Sequence, residues 1–220
     1  YSDGIEIKDV QGDVRVINVT ANRNRGSVDN DGIEVGRTGG SVLLRNVTAM
    51  DNSDGGFDLW QTGGTVTVEA AIIRDHPERG VWFTDGGNSP ALKGSILCGN
   101  DPGVSVGYAT TVDAEANWWG CAGGPGSSGC DTVDHNDGTI DADPWIDTLS
   151  ATTTISPVNA GDPTEVRFQF LGGGGTVFLS DGPGDMHGTA PFTVTTDNGT
   201  LTDADETHAT VHSFIGDTDG

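Results

Sequence analysis

The chain has 220 residues, of which 33 are acidic and 10 are basic, and its formal net charge at pH 7 is −23. Such a surface repels nucleic-acid phosphates and anionic lipid headgroups, so we expect no nucleic-acid partner. No apolar stretch approaches the roughly 20 residues of a membrane-spanning helix, so we expect no membrane insertion in this segment.

A repeat of about 24 residues dominates residues 1–110. Its first strand is a glycine followed by apolar–variable–apolar residues, at Gly4–Ile7, Gly32–Val35, Gly56–Leu59, Gly80–Phe83 and Gly103–Val106. Two further strands recur at the same spacing, at Gly12–Val16, Gly40–Leu44 and Gly64–Val68, and at Asn18–Ala21, Asn46–Ala49 and, more loosely, Ala70–Ile73. Three short strands per period, with no helical period, predict a β-solenoid whose coils pair in parallel about 4.8 Å apart.

A tryptophan-rich segment follows the repeats: Asn117-Trp118-Trp119-Gly120, then Gly124-Pro125, then Asp143-Pro144-Trp145-Ile146. With the repeats before it, this segment resembles the right-handed parallel β-helix family, the fold of pectate lyases and of many bacterial and archaeal surface proteins. The resemblance implies that residues 1–148 form a right-handed parallel β-helix of about five coils. It also implies that Asn117, Trp118, Trp119 and Trp145 form a cap on the last coil. Such a likeness concerns architecture and leaves the chemistry open.

Two of the three cysteines, Cys121 and Cys130, flank a glycine-rich loop. A disulfide between them would contribute roughly 2.5–3 kcal/mol in the chain-entropy model and would indicate an oxidising compartment, whereas two free thiols are the alternative. Cys98 lies in an apolar run and is expected to be a buried small hydrophobic side chain. We therefore expect an extracellular or cell-surface protein.

From about Leu149 the pattern changes to alternating strands separated by turns. The predicted strands are Thr153–Pro157, Glu165–Phe170, Thr176–Leu179, Pro191–Thr195 and Thr207–Val211. They resemble the immunoglobulin-like modules of bacterial surface proteins, and residues 149–220 are expected to be an incomplete module because a full one needs about 100 residues. The chain is expected to be a fragment that adjoins further domains; end-to-end self-association is the alternative.

The outer residues of the first strand predict a surface column: Glu6, Glu34, Asp58, Trp82 and Ser105. Carboxylates about 4.8 Å apart repel each other by about 0.9 kcal/mol in bulk water. Three interpretations stay open: a salt-adapted acidic surface similar to that of halophilic proteins, a calcium site, and a catalytic site. Trp82, with Asp58 and Glu34 beside it, is also a candidate for contact with a glycan.

The calcium interpretation rests on oxygen-rich adjacent turns. Its candidate ligands are Asp29, Asp31, Glu34, Asp58, Asp134 and Asp137. None of these segments matches the spaced twelve-residue calcium loop.

The catalytic interpretation assigns Glu6, Glu34 and Asp58 as paired carboxylates, one coil apart for a retaining glycosidase or two for an inverting one. About five coils are fewer than we expect of a complete catalytic β-helix, and no Lys/Arg cluster is present to neutralise a uronic acid. The expected function is therefore a non-catalytic surface, adhesin or fibre-forming protein that contacts polysaccharide. The alternative is a polysaccharide lyase, a glycoside hydrolase or its carbohydrate-binding module.

Three segments fit the N-glycosylation sequon, at Asn18, Asn46 and Asn198. Asn18 and Asn46 occupy the same repeat position, which predicts an internal Asn ladder whose side chains are buried. Asn198, at a predicted tight turn, is then the better candidate for glycosylation.

Overall fold

The computed structural model describes residues 3–26, 30–84, 89–108, 110–153, 163–172, 176–177, 199–202 and 211–216. In this part of the chain all regular structure is β-strand, as the sequence predicts. The first fourteen strands are β1 (Ile5–Lys8), β2 (Val14–Asn22), β3 (Ile33–Thr38), β4 (Val42–Met50), β5 (Phe57–Thr62), β6 (Val66–Glu69), β7 (Ile72–Arg74), β8 (Val81–Thr84), β9 (Ala91–Lys93), β10 (Ile96–Cys98), β11 (Val104–Gly107), β12 (Thr111–Asp113), β13 (Val133–Asp134) and β14 (Thr139–Asp141).

These strands form a parallel β-solenoid of about five turns. One sheet has the order β1-β3-β5-β8-β11-β13, and all its pairs are parallel. The other has the order β10-β7-β4-β6-β9-β12-β14, with β2 added beside β4, and is also parallel throughout. Ile5 pairs with Ile33, and Ile33 with Phe57, so the predicted register of the repeat is confirmed.

The glycine that opens each first strand lies against the backbone of the next coil. A Cβ atom at Gly56 would overlap the carbonyl oxygen of Gly80, and one at Gly32 would lie 2.8 Å from the carbonyl oxygen of Gly56. Real Cβ atoms do not approach other atoms so closely. The glycine repeat is therefore a steric requirement of coil stacking.

One corner of each coil has left-handed backbone. The residues at this corner are Asn18, Asn46, Ala70, Gly94 and Ala116, with φ of 57°, 50°, 51°, 59° and 57°. Asn tolerates this conformation better than most residues, which accounts for the two Asn-Val-Thr-Ala repeats. Asn46 Nδ2 donates to Asn18 Oδ1 at 2.7 Å, so the predicted Asn ladder exists. Its predicted burial is wrong, because Asn18 is exposed.

The interior of the solenoid is mainly apolar. Its largest fully buried side chains are Trp119, Phe57, Phe83, Ile33, Leu44, Ile73, Leu92, Leu97, Val35, Val42, Val47 and Val68. Because these inward positions alternate with solvent-facing ones along each strand, the outer face of the first sheet is left to polar residues.

A polar ladder runs through this interior beside the first sheet. Asn52, His76, Asn100 and Asp131 are buried and occupy successive coils, with Asn24 ahead of them. Each side chain accepts a backbone N–H from the preceding coil: Asn52 N–H donates to His76 Nδ1 at 3.3 Å, and His76 N–H to Asn100 Oδ1 at 3.2 Å. His76 Nε2 lies 3.1 Å from the carbonyl oxygen of Ala49, so the neutral imidazole with a proton on Nε2 satisfies both contacts.

The tryptophan-rich segment packs against β10, and its predicted role as a cap on the last coil stays a prediction. Asn117 and Trp119 are buried, and Trp118 forms a parallel bridge with Ile96. Trp145 is partly buried and donates from Nε1 to the carbonyl oxygen of Ala122 at 3.1 Å.

Cys121 and Cys130 form the predicted disulfide, with their Cα atoms 5.1 Å apart. Cys98 is free and only partly buried, so its predicted burial is wrong.

The C-terminal part of the described chain forms an antiparallel sheet. Its strands are β15 (Ile146–Thr153), β16 (Pro163–Gly172), β17 (Thr176–Val177), β18 (Gly199–Thr202) and β19 (Val211–Gly216). The order is β15-β16-β19-β18, with β17 paired to β16. The predicted strand Glu165–Phe170 lies within β16, whereas Pro191–Thr195 lies outside the described residues. The immunoglobulin-like fold of this part stays a prediction. The described residues contain no helix long and apolar enough to cross a bilayer.

Candidate functional site

A groove of about 1030 Å³ lies over the outer face of the first sheet, and we call it the acidic groove. Seven acidic and two basic residues line it. The lining comprises Asp3, Glu6, Lys8, Gly26, Asn30, Asp31, Glu34, Ser53, Asp54, Gly55, Phe57, Asp58, Trp60, Gln61, Glu78, Arg79, Trp82, Thr84 and Tyr108.

Three columns of residues form most of the groove wall. The predicted column is present: Glu6 pairs with Glu34, Glu34 with Asp58, and Asp58 with Trp82. A second column lies two residues further along each strand and consists of Lys8, Gly36, Trp60 and Thr84. The third consists of the residues before each repeat glycine: Asp3, Asp31, Gly55 and Arg79.

The Glu34 carboxylate is fully engaged within the groove. Trp60 Nε1 donates to its Oε1 at 2.7 Å, and Lys8 Nζ lies 2.7 Å from its Oε2. Although burial favours the neutral acid, hydrogen bonds from Lys8, Asp3 and Trp60 outweigh it and lower the pKa of Glu34. Glu34 is therefore ionised at neutral pH and is held in place by its neighbours.

The pKa of Asp58, which lies directly beside Glu34, is shifted in the opposite direction. Burial, followed by repulsion from Asp31 and Glu34, raises the pKa of Asp58 to about 7. Its Oδ1 atom is buried and has no hydrogen-bond partner. A carboxyl group in this state is available either to release a proton near neutral pH or to accept a hydrogen bond from a ligand.

Asp31 and Asp3 join successive coils at the edge of the groove. Gly55 N–H donates to Asp31 Oδ1 at 2.7 Å, and Asp31 N–H donates to Asp3 Oδ1 at 3.0 Å. Burial and repulsion from Asp54 raise the pKa of Asp31 to about 7, while burial and a hydrogen bond with Glu34 raise the pKa of Asp3 to about 6. Asp31 and Asp3 therefore connect neighbouring coils and also line the groove.

Two indole rings lie in the groove. Trp60 lies over the backbone of Gly36, where a Cβ atom would overlap the ring, and Lys8 and Arg37 lie 5.8 and 4.9 Å from its centroid. The Arg79 guanidinium stacks on Trp82 at 4.1 Å. Both rings are partly buried and held by cations, and so they are fixed surfaces against which a planar or ring-shaped ligand can pack.

The structure places the other predicted residues outside the groove. Ser105, predicted as the fifth outer position, is buried, and its hydroxyl donates to Asp134 Oδ2 at 3.3 Å, so its predicted exposure is wrong. Asp134 and Asp137 are exposed on the last coil. Asp29 and Asn198 lie outside the described residues.

No three His, Cys, Asp or Glu side chains among the described residues are arranged to hold a metal ion. The calcium hypothesis stays a prediction without a ligand cluster in that part of the chain.

Sequence reasoning missed Lys8, Trp60 and Arg79. The signal for the first two was present, since the two-residue period that identifies Glu6 and Asp58 as outward-facing applies equally two positions later. Arg79 precedes a repeat glycine, as Asp31 does, but no sequence pattern predicts that Arg79 packs on Trp82.

Comparison with known proteins adds no family to this description. No family model matches the chain, and no curated protein or solved structure is significantly similar to it.

Proposed function

We propose that this chain is a non-catalytic extracellular surface protein that binds a polysaccharide in the acidic groove. The same proposal includes two structural assignments. The solenoid belongs with the right-handed, pectate-lyase-like β-helices, and residues 149–220 form an immunoglobulin-like module. Adhesion to a glycan-bearing surface is the activity that such a groove supports.

The observation that supports this proposal most directly is the combination of two fixed indoles with a row of hydrogen-bond acceptors. Trp60 and Trp82 lie on neighbouring strands of one sheet, beside Glu34 and Asp58. Sugar rings offer apolar C–H faces for the indoles and hydroxyl donors for the carboxylates. The lining residues come from successive coils, from Asp3 to Tyr108, and a site that spans several coils suits an extended saccharide.

The disulfide supports a location outside the cytosol. Cys121 and Cys130 are bonded in a glycine-rich loop, and disulfides of this kind persist in oxidising compartments.

Titration calorimetry with a panel of soluble hexasaccharides tests the binding function. Trp82→Ala is expected to weaken binding at least tenfold, about 1.4 kcal/mol, because the variant removes one stacking surface. Ile17→Ala is the matched control, since Ile17 is an exposed apolar residue on β2, away from the groove. A chain that binds no oligosaccharide, or a Trp82→Ala variant that binds as tightly as Ile17→Ala, contradicts the proposal.

One observation favours a second candidate, a glycoside hydrolase. Glu34 and Asp58 are register neighbours whose pKa values are displaced in opposite directions, which is how paired carboxylates divide the roles of ionised nucleophile and protonated acid. Adjacent coils bring the two groups near the separation of about 5 Å used by retaining enzymes. Against this assignment, both oxygens of Glu34 are already occupied by Lys8 and Trp60.

Mass spectrometry of the incubated hexasaccharides separates the two candidates. Release of shorter products that stops in both Glu34→Gln and Asp58→Asn establishes the hydrolase. Binding without any cleavage, in the wild type as in the variants, supports the non-catalytic function.

A further inference from the structure

The cations of the acidic groove are already occupied. Lys8 Nζ lies 2.8 Å from Glu6 Oε1 and 2.7 Å from Glu34 Oε2, so it neutralises part of that pair. Arg79 lies 3.9 Å from Glu78 and stacks on Trp82. With seven acids against these two bases, the groove retains a net negative charge.

Among the residues that the structure describes, three acids of the groove have no basic partner within hydrogen-bond distance. Asp3, Asp31 and Asp58 form no ion pair within the described part of the chain, although the backbone satisfies one oxygen of each of the first two. Asp58 differs from both, because its buried Oδ1 has no donor at all. A buried carboxylate oxygen without a donor is rare in folded proteins, and a ligand that brings a donor satisfies it.

We propose that the acidic groove selects saccharides that carry free amines, in preference to neutral or uronic-acid saccharides. This inference rests on the proposed glycan-binding function and names its ligand class. A protonated amine donates charge-assisted hydrogen bonds to Asp58, which are stronger than those of a sugar hydroxyl.

The same charge disfavours the acidic polysaccharides. A uronic-acid chain would place a carboxylate on every sugar ring against Asp31, Asp58 and Glu34, with both groove cations already engaged. Like charges facing one another in a partly desolvated groove repel strongly, so the groove rejects such a chain.

Three hexasaccharides of equal length test the proposal by titration calorimetry at pH 7.5, where Asp58, with its pKa raised to about 7, is mostly ionised: glucosamine, N-acetylglucosamine and galacturonic acid. The expected result is that the glucosamine hexamer binds at least tenfold more tightly than its N-acetylated counterpart, and that the galacturonate hexamer does not bind detectably.

A matched pair of variants separates groove recognition from general attraction of a cation to an acidic protein. Asp58→Asn and Asp113→Asn remove the same charge, but Asp113 lies on β12 in the other sheet and is paired with Lys93 at 2.6 Å. Asp58→Asn is expected to reduce the preference for the amine at least fivefold, and Asp113→Asn to leave it within twofold.

The possible failures are distinguishable. If none of the three oligosaccharides binds, the proposed glycan-binding function itself falls. If the N-acetylated or the galacturonate hexamer binds as tightly as the amine, or if the two variants act equally, glycan binding stands and the amine preference is wrong.

Discussion

Replacing Asp58 by Asn is expected to stabilise the fold at pH 8 by about 2–4 kcal/mol. The pKa of Asp58 is raised from 3.8 to about 7, chiefly by burial. Each pKa unit corresponds to about 1.4 kcal/mol, so keeping this group ionised in the folded state costs up to about 4 kcal/mol. The lower bound allows for screening by solvent and for relaxation of Asp31, whose own pKa is raised partly by nearby acids.

The pH dependence gives the sign of the effect. Between pH 4 and pH 7 the folded chain holds a proton on Asp58 that the unfolded chain has released, so this group makes the wild type more stable as the pH falls. The Asn side chain does not titrate. The advantage of Asp58→Asn should therefore be greatest at pH 8 and should largely vanish at pH 4.

Urea unfolding followed by tryptophan fluorescence at pH 8 and pH 4 measures both quantities. Asp113→Asn is the control, because it changes the net charge equally but removes an exposed ion pair, worth about 0–1 kcal/mol, with Lys93. The reasoning is refuted if Asp58→Asn stabilises no more than Asp113→Asn at pH 8, or if its effect is the same at both pH values.

Further predictions concern the solenoid itself. Burial lowers the pKa of His76, so the free energy of unfolding of the wild type should fall by up to about 1.4 kcal/mol per pH unit below about pH 6.5. His76→Asn, which places at this position the same amide that Asn52 and Asn100 contribute to the ladder, should remove this loss. Urea midpoints between pH 7 and pH 5 measure the effect, and the same pH dependence in both proteins would contradict it. Replacing Cys121 and Cys130 together by Ser should destabilise the chain by up to about 3 kcal/mol, and a melting temperature equal to that of the oxidised wild type would contradict the role of the bridge. Ala116 has a left-handed φ of 57°, so Ala116→Gly should stabilise by about 0.5–1 kcal/mol in the same unfolding assay, and a loss of stability would show that this corner is not strained.

The solenoid could be predicted because its requirements are local and repeat at every coil. A glycine is needed wherever two coils approach, and the alternation of apolar and polar residues assigns each strand residue to one face, so Glu34 and Asp58 were correctly placed as neighbours. The position of His76 in the buried ladder could also be predicted, since His76 occupies the same place in its repeat as Asn52 and Asn100.

Other features could not be predicted because they depend on how the turns fold over the sheet. The period of two places Ser105 outward, yet the last coil buries it. The same period cannot show that Lys8 pairs with Glu34, and therefore cannot tell which carboxyl group has a lowered pKa and which has a raised one. Electrostatic roles follow from burial and pairing in three dimensions, and these differ between neighbouring residues of one column.

The contrast between Glu34 and Asp58 is also the argument that the groove is more than an acidic coat. A salt-adapted surface needs exposed, well-hydrated carboxylates, as Glu6 provides at the end of the column. Asp58 is instead partly buried, has one oxygen without a donor and lies beside an indole, an arrangement that lowers stability and adds nothing to solubility. Folding alone would be better served by Asn at this position, and this supports the proposed role of the Asp58 carboxylate in ligand binding.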